Sequence, residues 1–185
     1  MRPGLHQALL GLVLAALLTI TGSQAVWSAD EGALLHQISS LADGGGWSFD
    51  HPYPEADPDG TRYPLHLSSW AVDGSPAPGT VAAGCPVDGV GCRYVSLAKH
   101  TTYLWITTGL YALGGYTALL ALSALGTLAA AIGASRLAAR IEPAAELPTL
   151  WLVGIGSPLL INAYVAWAHT PTAALVVWSV HWLTT

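Results

Sequence analysis

Residues 101–134 read TTYLWITTGLYALGGYTALLALSALGTLAAAIGA, and no Asp, Glu, Lys or Arg interrupts them. Such a stretch has nothing with which to face water. A bilayer core is crossed by ~20 residues of helix, so the run is too long for one simple span. Gly114-Gly115 offers a conformationally cheap break. The first part, residues 101–113, carries Tyr103, Trp105 and Tyr111, the residue types that settle at a membrane surface, and reads as an interfacial or re-entrant helix. Residues 116–137 read as a true span, closed by Arg136 and Arg140.

The same apolar character extends to both ends of the chain. Just over half of the residues are hydrophobic and only 9% are charged, against about 25% in an ordinary soluble domain. Residues 9–26 form an apolar run behind Arg2. Ser23-Gln24-Ala25 would suit signal-peptide cleavage. Trp27 at the end of the run, with no polar region before it, favours an uncleaved first helix. Residues 147–168 read as a third span with a kink at Pro158, which membrane helices tolerate. His169-Thr170-Pro171 reads as a turn. Residues 172–183 begin a fourth span and stop about half-way. The expected fold is an all-α integral membrane protein with three to four transmembrane helices.

Between the first span and residue 101 lies a polar segment. Residues 28–42 form a short amphipathic helix: Ser28 and Glu31 have the spacing of a capping box, Leu34, Leu35, Ile38 and Leu41 share one face, and Asp43-Gly44-Gly45-Gly46 ends it. Lying flat on the membrane surface would suit it. Residues 47–98 are rich in proline, which breaks helices and central strands, and read as a large, mostly irregular loop. Its aromatic residues, Trp47, Phe49, Tyr53, Tyr63 and Trp70, argue for order. Basic residues favour the cytoplasmic side. Arg2, Arg136 and Arg140 therefore place the N-terminus and the turn after the second span in the cytoplasm, and residues 28–100, with three basic and nine acidic residues, outside. The only two cysteines, Cys85 and Cys92, fit a small disulfide loop in that compartment. The net charge of -5 gives no support to nucleic-acid binding.

Four places carry residue types suited to chemistry. Asp30-Glu31, just outside the first span, are either a general base at the membrane surface or acids decorating a helix start. Lys99-His100, the only basic pair, are either a cation site for a phosphate, with Arg93 nearby, or an interfacial anchor. His169 is a polar cap on a turn or a lining residue on the same outer face. Glu55-Ala-Asp57-Pro-Asp59-Gly60 lacks the bidentate Glu that completes an EF-hand loop. No metal ligand set emerges. No cofactor is assigned, and a divalent metal stays open.

The order of these features resembles the start of a GT-C glycosyltransferase, of the family 39-like kind related to mannosyl and aminoarabinosyl transferases. The first motif is Asp30-Glu31-Gly-Ala-Leu-Leu-His-Gln37-Ile-Ser-Ser-Leu41-Ala-Asp-Gly44. The second, Ala98-Lys99-His100-Thr-Thr-Tyr103-Leu-Trp105, resembles a K-x-P-L-Y-x-W-like segment, though His100 is not followed by the proline often found there. The resemblance implies a membrane enzyme that takes a sugar from a polyprenyl-phosphate carrier on the outer face. It implies Asp30 as base, with Glu31 beside it, Lys99 on the lipid phosphate with His100 and Arg93, and His169 toward the site. Such enzymes are much longer, which implies an N-terminal part, with a downstream-encoded remainder as partner. The alternative from a different class is a non-catalytic multi-span protein whose outer loop binds a partner or polymer.

Overall fold

The computed structural model describes residues 3–21, 29–44, 48–50, 67–69, 93–96 and 101–184. Most of these are helical. Two helices are long and apolar enough to cross a membrane, over Pro3–Ile20 and Thr102–Ile141. The chain divides into two compact units: residues 1–25 with 115–185, and residues 26–114.

The second unit holds α2 (Ala29–Ala42) and three short strands, β1 (Ser48–Asp50), β2 (Leu67–Ser69) and β3 (Arg93–Ser96). The expected amphipathic helix is present. Its apolar face is the expected one, with Ile38 fully buried and Leu34, Leu35 and Leu41 half-buried. Gly44, at φ +77°, ends it in the left-handed conformation that glycine adopts without penalty. The Asp43 N–H donates to the Ser39 carbonyl at 2.9 Å.

The strands were not expected in a segment read as mostly irregular. They form an antiparallel sheet in the order β1-β3-β2, with Phe49 opposite Tyr94 and Ser68 opposite Val95. The pairing joins segments far apart in sequence, which no local pattern reveals, and each strand is too short to show an alternation of its own. β3 is central, and its Tyr94 and Val95 are residues that fit a pleated surface. The helix α2 packs against β1 and β3.

Helix α3 runs from Thr101 to Ile141 without the complete separation expected at Gly114-Gly115. It is not regular there, however. Gly115 has φ +60°, far from the −63° of an α-helix, and the two units divide at this residue. Gly115 departs from helical dihedrals, and the helix continues past it.

The first unit combines α1 (Pro3–Thr21), the part of α3 after Gly114, α4 (Glu146–Ile155), α5 (Leu159–Asn162) and α6 (His169–Leu183). The expected third span is two helices rather than one kinked helix. Pro158 has no N–H and Gly156 is a weak helix former, so α4 stops before them. Ser157 bridges the gap: its hydroxyl donates to the Val153 carbonyl at 2.7 Å and accepts the Leu159 N–H at 3.2 Å. The turn expected at residues 169–171 also lies elsewhere. The chain turns over residues 163–168, and His169 is the first residue of α6. Pro171 falls in the first turn of that helix, where its missing N–H costs nothing.

The contacts give the direction of each helix. His6, Leu10 and Leu14 of α1 meet Trp151, Gly154 and Tyr164 in turn, so α1 runs alongside α4 and α5. Gly126 and Gly133 of α3 meet Thr170-Pro171 and Val177-Trp178, so α3 and α6 run the same way. The core is Leu10, Leu14, Ala131 and Leu150.

Candidate functional site

The first unit is apolar outside as well as inside, with a few hydroxyls buried among its hydrophobic residues. Its outer surface carries Leu5, Leu9, Leu12, Leu125, Leu152, Ile161, Leu175 and Val176, all well exposed. Its interior holds hydroxyls: Ser123, Thr127, Ser135 and Thr170 are at most 1% exposed. Each hydroxyl is satisfied by backbone. Ser123 Oγ donates to the Val165 carbonyl at 2.8 Å. Thr170 Oγ1 donates to the Ser123 carbonyl at 2.7 Å, tying the start of α6 to α3. Thr127 Oγ1 donates to the Ser123 and Leu159 carbonyls, both at 3.2 Å. Ser135 Oγ donates to the Ile132 carbonyl at 2.9 Å. Small residues let backbones approach closely, and hydroxyls glue helices together where no water competes.

The residues singled out in the sequence distribute unevenly. Asp30 and Glu31 are the second and third residues of α2, and Arg93 opens β3, opposite Asp50 in the β1–β3 register. All three belong to the second unit, in which α2 packs on β3. Lys99 and His100 lie outside the described residues, between the end of β3 and the start of α3. Cys85, Cys92 and the acidic run at Glu55, Asp57 and Asp59 also lie outside them. His169 belongs to the first unit, exposed at the start of α6, with its ring edge-on to Trp167 at a centroid distance of 4.9 Å. Among the described residues, no group of three or more His, Cys, Asp or Glu gathers to hold a metal ion.

Sequence reasoning passed over a second polar cluster, where α3 and α6 finish. Arg136 lies over the Trp178 ring at 5.1 Å. Arg140 Nη1 donates to the His181 carbonyl at 3.0 Å and to Thr184 Oγ1 at 2.8 Å. Arg140 therefore caps the last turn of α6, where carbonyls lack helical partners. The signal in the sequence was the matching spacing: Arg136 and Arg140 on one helix, Trp178, His181 and Trp182 on another. Each set falls on one face at helical spacing, but nothing local says that the faces meet. No known protein family matches the chain, and neither a curated protein nor a solved structure matches it.

Proposed function

We propose that this chain is a multi-pass protein of the cytoplasmic membrane and the N-terminal part of a GT-C type glycosyltransferase, moving a sugar from a polyprenyl-phosphate donor to an acceptor hydroxyl on the outer face. One observation carries the reading: both motifs border the apolar helices. Asp30-Glu31 lie in the first turn of the helix that follows α1, and Lys99-His100 immediately precede α3. The membrane part is supported by the two long apolar helices and by the many large apolar side chains exposed on the first unit.

The chemistry needs both motifs. Asp30 accepts the acceptor's proton as its oxygen bonds to the anomeric carbon. The bond from that carbon to the phosphate oxygen breaks, and the polyprenyl phosphate leaves with the electron pair. Lys99, with His100 and Arg93, stabilises that negative charge. General-base help is worth typically 10²–10⁴-fold, and a fixed cation aimed at developing charge adds a further large factor. Glu31 supports the start of the helix.

The test is sugar transfer from a labelled polyprenyl-phosphate donor in membranes, with and without a downstream-encoded remainder. Asp30→Asn is expected to abolish turnover while donor binding persists, and Lys99→Ala to weaken donor binding itself. Full activity in the Asp30→Asn enzyme would overturn the catalytic assignment. A second reading, a non-catalytic protein that binds a partner or polymer outside the cell, draws on the sheet: β1 and β2 are edge strands, and an edge can accept an added strand. Absence of transfer by the complete system, together with retention of a cell-envelope polymer by residues of the sheet, would favour it.

A further inference from the structure

Arg136 and Arg140 stand four residues apart on the same face of α3, so their like charges raise each other's energy. Both are exposed. Among the described residues neither makes an ion pair with a carboxylate: Arg140 meets the His181 carbonyl, Thr184 and, at 3.2 Å, His181 Nε2, and Arg136 meets the Trp178 ring. The acid next along the chain, Glu142, accepts the Ala144 N–H at 3.3 Å and so caps the short turn Pro143–Ala145. Glu146 opens α4. Around the two arginines the aromatic rings form a continuous patch. Trp178 is 5.2 Å from the His181 ring and 5.6 Å from Trp182, which is 68% exposed.

We propose that this cluster binds the phosphodiester headgroup of an anionic phospholipid in the cytoplasmic leaflet. The inference rests on the membrane reading above but not on glycosyl transfer. Charge complementarity argues for the occupant: two guanidiniums without a carboxylate partner, at the end of an apolar bundle, meet the leaflet that carries anionic lipid. Arginine's planar fork matches two phosphate oxygens. Arg140 spends its fork on α6 and contributes charge. Arg136 offers only its face to Trp178 and keeps its N–H groups for the phosphate. The exposed Trp182 suits the level of the glycerol backbone, where amphipathic rings settle.

The experiment uses the full chain, extracted in detergent and exchanged with phosphatidylglycerol or phosphatidylcholine, with bound lipid counted by native mass spectrometry. A third arm adds inorganic phosphate alone. Phosphatidylglycerol is expected to be retained over phosphatidylcholine by about fivefold per engaged arginine. Arg136→Gln is expected to lose that preference and Arg136→Lys to keep part of it, with unchanged thermal melting in lipid-free detergent marking an intact fold. Equal retention of both lipids, or wild-type preference in Arg136→Gln, would overturn the proposal. Displacement of phosphatidylglycerol by inorganic phosphate at equal concentration would overturn it in favour of a free-phosphate site. Release of the chain from membranes by an alkaline carbonate wash would instead remove the membrane reading on which it stands.

Discussion

Gly126 shows how little room one residue can have. A Cβ there would lie 2.6 Å from the Pro171 nitrogen and 2.7 Å from the Thr170 carbonyl carbon, both backbone atoms that cannot swing aside. Gly109, on the same helix, would meet nothing within 4 Å. Gly126→Ala is therefore expected to destabilise the first unit by about 1–3 kcal/mol through overpacking. Gly109→Ala is expected to be neutral or to stabilise by up to about 1 kcal/mol, since alanine is the better helix former. Thermal melting in detergent separates the two, and an equal effect of both would contradict the close approach of α3 and α6. Ser123→Ala removes the donor to the Val165 carbonyl and is expected to cost about 0.6 kcal/mol, the average for hydrogen bonds between membrane helices. It leaves the Thr170 bond intact, because that bond ends on the Ser123 backbone. None of these pairings was legible in the sequence. A serine in an apolar run announces that its hydroxyl needs a partner, but not which carbonyl supplies it. The acids at Asp30-Glu31 were legible because their signal is local, a helix start after an apolar run.

At the scale of elements, the boundary signalled at Gly156-Ser157-Pro158 is a real division, whereas at Gly114-Gly115 α3 continues as one helix with a single left-handed residue. Gly115 adopts φ +60°, a conformation costing a residue with a side chain roughly 1–2 kcal/mol. Gly115→Ala is expected to lose stability or to drive this part of α3 to regular helical geometry, although a Cβ would find open space. Cysteine-pair spin-label distances across residues 108–122 are the measurement. An unchanged distance with unchanged stability would show that the left-handed residue has no structural role. The apolar run at residues 147–168 divides at Gly156-Ser157-Pro158 because Pro158 removes a donor, and Ser157 is the nearest side chain able to satisfy the groups released. From sequence alone, a kinked helix and two helices joined by a turn look alike there. The helix α2 was the most legible element, since its apolar face and its terminating glycine lie within residues 34–44, while Ser28 of the expected capping box lies outside the described residues. The sheet was the least legible, since β3 finds its partners across long stretches of proline-rich sequence.

At the scale of the molecule, the leucine-rich exterior of the first unit, with its few buried hydroxyls satisfied by backbone carbonyls, would suit a solvent that is itself apolar. The directions of α1, α3, α4 with α5, and α6 alternate, as four successive passages would require. On the proposed multi-pass reading, Arg136 and Arg140 would finish one passage, and the basic bias would place that end in the cytoplasm. The same reading would put residues 28–100 outside. An impermeant thiol reagent applied to intact, reduced cells is expected to label Cys85 and Cys92, and labelling only after lysis would reverse the orientation. The alternation was foreseeable from the apolar runs. Which helices touch was not, because a helix that is apolar on every side gives no sign of the face it buries, and the contacts here are made by small residues and hydroxyls.

The shared direction of α3 and α6 has a consequence for insertions. Gly126 and Gly133 lie seven residues apart, and so do Pro171 and Trp178, the points on α6 that they meet. The seam has a phase as well as a length. One residue inserted between the two glycines rotates the rest of α3 by about 100°. It brings the bulky Ile132 to the place now held by Gly133, against Val177 and Trp178. A duplicated copy of residues 126–132 would restore a glycine to that place, because seven residues return the helix to within about 20°. The same duplication would carry Arg140 about 10 Å further along the axis, beyond reach of His181 and Thr184. A chain that keeps its seam but loses its clasp would separate the packing of α6 from the capping of its last turn.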